Sequence, residues 1–527
     1  MGSEDAEVMK EGIIMKKLMT LALAAAMMLG AATGANAIDF KAKGQWIMDF
    51  NYGMHGKFGE SKAAANSGYS RNGNHEDEFE ATQRVRLQLD AVASEALSGT
   101  VFFEIGDQVW GDNDNGGALG ADGKVVELKR AYIDWMVPQT DLKVRMGIQG
   151  IALPSFTTNA SQIMDDDVAA ISLNYQFNEN VGLTAFWARP YNDNSGYKWN
   201  GDKEGYQNYM DNMDMFAVLL PLTFDGVKVT PWVMYAAMGP GMFNEWKHPE
   251  DKTKKFSGGN AWTRASNGLV SGFAGTDPLD TYGNAFWAGV TGEVTYWDPF
   301  RIAWDVNYGS ASYEDEKMNR EGWLASLLLE YKLDWGTPGL YGWYSTGDDN
   351  NPRNGSERMP VVSANGNNQF SNFAFNGNPY IAREGVLGST MVGTWGIGAR
   401  LKDVSFLEDL KHTLRVNFMG GTNAPKMAKY IRDYGNPYEK HGVSDVARYA
   451  TAYDPIYLTT GDTALEIGLT NTYKMYDNFT VMLDAAYVAL WLDDSTSTWG
   501  KNPGRSALGG DGVYDAWNVN LSFVYSF

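Results

Sequence analysis

Basic residues recur at alternate positions in several segments of this 527-residue chain. Arg84 and Arg86 form one pair, and Lys143 and Arg145 form another. Because alternate side chains of an extended strand share a face, each pair would present two positive charges to the same side. The complete basic set on the predicted polar faces of the first five strands is Lys41, Lys43, Arg84, Arg86, Arg130, Lys143 and Arg145.

A compact acidic group follows the basic set, at Asp165, Asp166 and Asp167, in a segment that also contains Pro154 and Phe156. If acids and bases face each other across a narrow passage of low dielectric, they create a transverse field that orients polar solutes and sets ion preference. The alternative interpretation is that the aspartates form a solvated turn or begin a strand. The first interpretation predicts solute recognition without bond breaking.

The other residue types give little support for catalysis. The chain contains no cysteine, which excludes a thiolate nucleophile and a thiolate metal site. Acid–base and nucleophilic catalysis need partner groups at matched positions. The five histidines show no such spacing: they are His55, His75, His248, His412 and His441. Carboxylate pairs suggest glycoside hydrolysis only when their geometry is known. We therefore predict that the protein is not an enzyme and holds no cofactor.

Strictly alternating segments indicate how the charged residues are positioned. Residues 79–91 place apolar side chains on one face and Arg84 and Arg86 on the other, and residues 300–308 repeat the split with Asp305 on the polar face. Large aromatic residues stand near the ends of the apolar faces: Trp46, Tyr175, Trp187, Trp323 and Tyr331. Charged inner faces and aromatic-ended outer faces are typical of a transmembrane barrel with lipid outside and water inside.

The spacing of the candidate strands predicts the topology. Eighteen candidates begin near residues 40, 79, 99, 124, 141, 168, 181, 212, 226, 284, 299, 321, 338, 390, 409, 463, 478 and 514. Their connections alternate between short and long, as in a barrel with short periplasmic turns and long extracellular loops. We predict an all-β fold, a transmembrane antiparallel β-barrel of 18 strands, with 16 as the alternative. Pro231 and His412 fit their strands poorly and mark a bulge, a strand end or a misplaced register.

The N-terminal segment predicts export. Lys16 and Lys17 precede an apolar run, residues 18–29, and Ala35-Asn36-Ala37 follows it. This pattern is that of a cleaved signal peptide, because the run is shorter than the roughly 20 residues of a spanning helix. We predict Sec-dependent export and two regions: an N-terminal extension and signal peptide, 1–37, and a single transmembrane β-barrel domain, 38–527. The net charge of −21 argues against nucleic acid as a partner.

Four segments carry a family resemblance. The last, VNLSFVYSF (residues 519–527), has aromatic residues at alternate positions and ends in Phe527, similar to the signal read by the outer-membrane assembly machinery. With IDFKAKG (38–44), ELKRAYIDW (127–135) and residues 142–149, it resembles the homotrimeric porins of sulfate-reducing bacteria, within the general Gram-negative porins. The resemblance implies a bacterial outer-membrane location, a homotrimer with one pore per subunit, and contacts with membrane lipid and lipopolysaccharide.

The resemblance also implies a constriction. In general porins the third long loop folds into the barrel, and its acids face a ladder of bases on the wall. Here that loop would run from Gly150 to Asp167, with Pro154, Phe156 and the three aspartates opposite the basic set. The implied function is a water-filled channel for passive diffusion of small hydrophilic solutes and ions. The alternative is a substrate-specific channel for sugars, organic acids or peptides. We expect a mild anion preference.

Acidic clusters elsewhere raise the question of a metal ion. They are Glu76-Asp77-Glu78, Asp112 with Asp114, Glu314-Asp315-Glu316, Asp348-Asp349 and Asp493-Asp494. Hard cations prefer several oxygen ligands, so these clusters are candidates for structural Ca²⁺ or for bridging to lipopolysaccharide. None has the spacing of an EF-hand loop, and solvation is the simpler expectation. Further alternatives for the protein as a whole are an outer-membrane enzyme and an adhesive protein with a sealed lumen.

Overall fold

The computed structural model describes residues 38–53, 58, 78–113, 116–120, 126–192, 212–239, 246–247, 255–256, 268–273, 281–364, 368–375, 377, 385–434, 454–510 and 512–527. The predicted signal segment, residues 1–37, lies outside these ranges. So do the acidic residues Glu76, Asp77 and Asp114.

Eighteen antiparallel strands form one closed sheet. They are β1 (Asp39–Gly53), β2 (Glu78–Ser94), β3 (Leu97–Val109), β4 (Glu127–Met136), β5 (Leu142–Ala152), β6 (Asp165–Gln176), β7 (Gly182–Asn192), β8 (Asn212–Leu219, resumed at Leu222–Phe224), β9 (Val227–Met238), β10 (Gly283–Val294), β11 (Phe300–Ser312), β12 (Arg320–Tyr331), β13 (Thr337–Ser345), β14 (Thr394–Leu407), β15 (Leu410–Gly421), β16 (Thr463–Tyr476), β17 (Phe479–Trp491) and β18 (Ala516–Ser526). Strand β1 pairs with both β2 and β18, which closes the barrel. The prediction of 18 strands is confirmed, and the alternative of 16 is wrong.

The two faces of the strands differ as the alternation predicts. In β8, Phe216 and Val218 are exposed on the outer face, whereas Met215 and Ala217 are buried on the inner face. Outward apolar side chains recur around the whole sheet and include Val233, Leu327 and Ile467. A sheet that closes on itself leaves no edge strand unpaired, so the backbone can face an apolar medium on the outside.

Long connections at one end of the barrel fold into the lumen. We name the ones used below L3 (residues 153–164), L7 (346–393), L8 (422–462) and L9 (492–515), counting the long connections in chain order. Their apolar side chains form a buried core with the inner wall that includes Leu153, Phe370, Met391, Tyr457 and Trp499. The helix α1 (Pro425–Tyr434) lies in L8 and buries Met427, Ala428 and Ile431.

Among the described residues, no helix has the length and apolar character needed to cross a membrane.

The structure also gives the length of the third long loop and the positions of Pro231 and His412. The third long loop is shorter than Gly150 to Asp167, because β5 continues to Ala152 and β6 already begins at Asp165. Pro231 lies within β9, and the neighbouring strand β8 breaks at Leu220-Pro221. His412 lies opposite Asn471, and its Nδ1 is 2.6 Å from the Asn471 Oδ1, so its polar ring is satisfied on the outer face.

Candidate functional site

The inner face of β2–β5, here called the open wall, carries most of the predicted basic set. Arg84 bonds Asp107 on the adjacent strand, with Nη2 2.6 Å from Oδ1, and Arg86 Nε lies 2.5 Å from Glu104 Oε2. Arg145 donates two hydrogen bonds to the Asp134 carboxylate, at 2.6 and 2.8 Å. Each base therefore stands beside an acid on the neighbouring strand.

Three further bases of β4 and β5 also lie beside acids. Arg130 Nε donates to Asp167 Oδ1 at 2.6 Å, and Lys129 lies 3.3 Å from the second oxygen of the same carboxylate. Asp167 pairs with Gly150 on the register of the exposed Ala169 and Ile171, so this ion pair lies on the outward side of the strands and not in the lumen. Lys129 is the extra residue of a β-bulge in the pairing of β4 with β3. Lys143 lies 3.1 Å from Asp134, which therefore serves both Lys143 and Arg145. Strict alternation did not predict Lys129 as a site residue, because a bulge residue falls outside the alternating register.

The remaining predicted site residues occupy different places. Lys43 is exposed near the start of β1, at the end of the barrel that carries the short turns. Pro154 lies in L3. Asp165 and Asp166 begin β6, where Asp166 accepts a hydrogen bond from Ser363 of L7 at 2.7 Å. The three aspartates thus contact the wall and L7, and they do not form the tip of the infolded loop.

Loop L3 is held against the opposite wall by Asp305 of β11. Its carboxylate accepts hydrogen bonds from the backbone N–H groups of Phe156 and Thr157, at 2.9 and 3.1 Å, and from the Ser155 hydroxyl at 2.7 Å. The carbonyl of Phe156 in turn accepts from Arg301 at 2.8 Å. Asp305 is buried, so its charge is stabilised by these donors in place of water.

Loop L7 is held in the same manner by Glu466 of β16. One oxygen, Oε1, accepts from the Ser371 hydroxyl and from the backbone N–H groups of Asn372, Phe373 and Ala374, at distances between 2.7 and 3.1 Å. The other oxygen accepts from Asn417 at 2.8 Å. Successive N–H groups that converge on one oxygen form an anion-binding concavity of the backbone.

A second charged network lies on the inner wall of β9–β14. Arg301 bridges Glu293 and Glu330 at 2.8 Å each, and Arg400 lies 2.6 Å from the second oxygen of Glu330. Lys228 adds a contact of 3.0 Å to Glu293. Arg301 lies in the alternating segment 300–308, on the same face as Asp305, and was not predicted as a site residue. The alternation of β14, with Gly396, Gly398 and Arg400 inward, was the signal for Arg400.

Loops L3 and L7 also contact each other inside the barrel. Two backbone N–H groups of L7, from Val362 and Ser363, donate to the Ile163 carbonyl at 3.0 and 3.1 Å. The Met391 N–H donates to Gln162 at 3.1 Å, and Gln369 of L7 hydrogen-bonds Asn159 of L3. The two loops therefore form one connected body in the lumen.

A buried cluster of ion pairs fastens L8 to L7. Asp454 of L8 accepts two hydrogen bonds from Arg320 at 2.6 and 2.7 Å, and Arg358 of L7 lies 3.4 Å away. The side chains of Arg320 and Asp454 are 0% exposed. Burial opposes ionisation of Asp454, but the two guanidinium groups outweigh burial and hold its pKa below the usual value. Burial raises the pKa of Tyr457, which donates to Asp348 at 2.8 Å. We call these five residues the loop clasp.

The loops cover the inner wall unevenly. From β6 to β18 the inner residues are mostly buried beneath them, as Met234, Trp287 and Asn417 illustrate. On the open wall, by contrast, most inner side chains are partly exposed, for example Arg145 at 29% and Lys143 at 40%. Among the described residues, the part of the lumen that the loops leave unfilled runs along β2–β5 and is lined by ion pairs.

The chain terminus lies at the seam of the barrel. Phe527 and Gly44 exchange two backbone hydrogen bonds of 3.0 Å, and the Phe527 ring packs on Trp46 with ring centroids 5.2 Å apart. A Cβ atom on Gly44 would lie 2.5 Å from the Phe527 ring, so only glycine leaves room for it.

Acidic loop residues already serve as hydrogen-bond acceptors. Asp348 belongs to the loop clasp, and Asp493 accepts from Ser495 and Thr498. Within the described ranges, no group of three or more histidine, cysteine or acidic side chains is placed to hold a metal ion.

A closed 18-stranded sheet with an apolar outer face, a charged lumen and infolded loops defines the class of transmembrane β-barrels.

No family model matches the chain, and no curated protein matches it. Solved structures that resemble it include OpdQ of Pseudomonas aeruginosa, which is 10% identical over 94% of this chain and 99% of its own, with a TM-score of 0.47. OprD of the same organism is 10% identical over 92% and 95%, with a TM-score of 0.47. The outer membrane protein OpdK, also from that organism, is 9% identical over 92% and 98%, with a TM-score of 0.46. The closer resemblance to porins of sulfate-reducing bacteria stays a prediction.

Proposed function

We propose that the protein is an outer-membrane channel that lets small hydrophilic solutes diffuse passively along the open wall. The observation that carries the proposal is the asymmetric lumen, in which one wall is packed under loops and the other is lined by partly exposed charges. An adhesive barrel with a sealed lumen has no use for such a lining. An enzyme would need a reacting group beside the passage, whereas the charges of the open wall pair with one another.

Of the two kinds of channel, the solute-selective one is favoured over a general diffusion pore. Loops L3 and L7 are fixed by buried carboxylates and by each other. The narrowing of the lumen is therefore a permanent part of the folded structure. A rigid passage discriminates between solutes by size and by the groups along its wall. The wall charges nearly cancel, so we replace the expected anion preference with weak ion selectivity.

The surroundings of the channel are also proposals. The apolar outer band, with aromatic residues such as Trp323 and Tyr331 exposed toward its ends, suits contact with lipid and lipopolysaccharide. Export by the Sec pathway and assembly through Phe527 rest on the sequence pattern alone. A homotrimer rests on the family resemblance. Structural Ca²⁺ at the acidic loops stays a prediction, which calcium-dependent thermal stability would test.

The test is single-channel recording of the purified protein in a planar bilayer under a salt gradient. Small ohmic steps with a reversal potential near zero would support a narrow, weakly ion-selective channel, and steps in groups of three would support the trimer. Saturable block by one solute class would favour the substrate-specific channel over the general one. No conductance from correctly folded protein would contradict the proposal and would favour the adhesive or enzymatic alternatives.

A further inference from the structure

The charges of the open wall are arranged as side-by-side pairs rather than as opposed rows. Arg84, Arg86, Lys143 and Arg145 stand against the acids Asp107, Glu104 and Asp134. A further acid, Asp90, faces the same lumen and accepts from Thr100 at 2.7 Å. These four bases and four acids carry no net charge as a group, but they create strong local charge.

The pairs are exposed enough to exchange partners with a solute. Arg145 and Lys143 are 29% and 40% exposed, whereas Arg400 in the packed network is 1% exposed. A partly exposed ion pair contributes little to stability, so little is lost when a solute replaces one partner. Ion pairs of the packed wall are shielded from such exchange by the loops.

A singly charged solute gains little from such a wall. An anion that approaches Arg145 meets Asp134, whose oxygen lies 2.6 Å from the same guanidinium group. Attraction and repulsion then act over nearly equal distances, and they largely cancel. A solute with both an ammonium and a carboxylate group turns its charges to match the pair, and both ends are attracted. Inner positions of a strand recur about every 7 Å, so successive pairs can pass such a solute along the wall.

We propose that the open wall selects zwitterionic solutes, such as amino acids and short peptides, over singly charged solutes of the same size. The inference rests on the proposed function, because it names the solute class for that channel. It requires binding that is favourable but weak, as conduction does, and the exposed pairs satisfy both conditions.

The test measures uptake of four labelled solutes by liposomes that contain the full-length mature protein, with empty liposomes as the background. The solutes are alanine, alaninamide, N-acetylalanine and N-acetylalaninamide, which share one framework and differ in charge. We expect alanine to enter at least about twofold faster than each of the other three. Equal rates, or fastest entry of the anion, would overturn the zwitterion inference alone. Background rates for all four solutes would overturn the channel itself.

Charge variants locate the effect on the open wall. Asp134→Asn leaves Arg145 and Lys143 without their acid, and we expect uptake of N-acetylalanine relative to alanine to rise about twofold or more. Adding Arg145→Met to that variant restores the balance and should return the ratio toward the wild-type value. Glu104→Gln tests the next pair along the wall if Asp134→Asn does not fold. The matched control is Asp477→Asn, which removes a carboxylate from an exposed pair with Lys474 in a short turn. An unchanged ratio in folded Asp134→Asn and Glu104→Gln, or the same change in the control, would contradict the assignment.

Discussion

Glu466 is a buried carboxylate that fixes the position of L7 through hydrogen bonds. Its side chain is 0% exposed and accepts five hydrogen bonds, three of them from backbone N–H groups of L7. Hydrogen bonds to an ionised group are worth about 1.5–3 kcal/mol each, so the residue fixes the loop far more strongly than a neutral acceptor would.

We predict that Glu466→Gln loosens L7 and gives a larger, noisier single-channel conductance. The amide keeps the shape of the side chain but loses the charge that holds the N–H groups. The matched control is Glu321→Gln, because the Glu321 carboxylate accepts a hydrogen bond of 2.6 Å from Tyr308 on the outer face. The contact of Glu321 with L7 is a backbone hydrogen bond to the Ser356 carbonyl, which the substitution leaves in place. Wild-type conductance and noise in folded Glu466→Gln protein would refute the assigned role.

The loop clasp leads to a prediction about stability. Asp454→Asn leaves Arg320 and Arg358 buried without their main counter-charge, a change that typically costs about 3–5 kcal/mol. We expect faster proteolysis within L8 and a lower unfolding temperature of the barrel. The control Asp433→Asn removes the acid of an exposed pair with Arg432 and should cost less than about 1 kcal/mol. Equal protease resistance of the two variants would exclude a stabilising clasp.

Acid should weaken the same clasp in the unmodified protein. Because the folded pKa of Asp454 is lowered, its stabilising effect is complete above the unfolded pKa of about 3.9 and is lost as the pH falls further through the folded pKa. We predict that protease sensitivity of L8 rises below about pH 4 and not between pH 5 and 7. A rise confined to the pH 5–7 window would point to a different group.

At the scale of loops and strands, the two carboxylate anchors are coupled. L3 is anchored by Asp305 and L7 by Glu466, and backbone hydrogen bonds at Ile163 join the loops. We predict that Asp305→Asn or Glu466→Gln alone raises conductance modestly, because the partner loop still holds the released one. The double variant should exceed the sum of the two single effects. Additive increases in conductance would show that the loops move independently.

The strands could be predicted from the sequence because their signal is local. Alternation within ten or so residues decides the inner and outer faces of a strand, and Arg84 and Arg86 were placed correctly on this basis. The infolded loops could not be predicted in detail, because the contact between Ser155 and Asp305 spans 150 residues of chain. The pairing of each base with a neighbouring acid also depends on strand register, which a single sequence leaves open.

At the scale of the whole barrel, the seam between β1 and β18 leads to a prediction about assembly. Gly44→Ala would place a methyl group against the Phe527 ring and the Arg86 carbonyl. We expect a reduced yield of folded barrel, seen as loss of the heat-modifiable band in gel electrophoresis. The control Gly99→Ala lies on β3, where a Cβ atom meets nothing within 4 Å. Similar yields from the two variants would show that the fit of Phe527 is unimportant.

The uneven lumen also divides the barrel wall into two parts of unequal local stability, β6–β18 and β2–β5. In the described part of the chain, the inner side of β6–β18 packs against a buried apolar core, whereas most inner side chains of β2–β5 are partly exposed. Opening a strand of β6–β18 would expose apolar side chains and disturb the anchored loops. Opening a strand of β2–β5 would break little besides the hydrogen bonds of the sheet itself. Amide hydrogen exchange should therefore be slow around most of the circumference and fastest along the strands that carry the ion pairs. The wall that lines the solute pathway would then also be the part of the barrel with the lowest local stability.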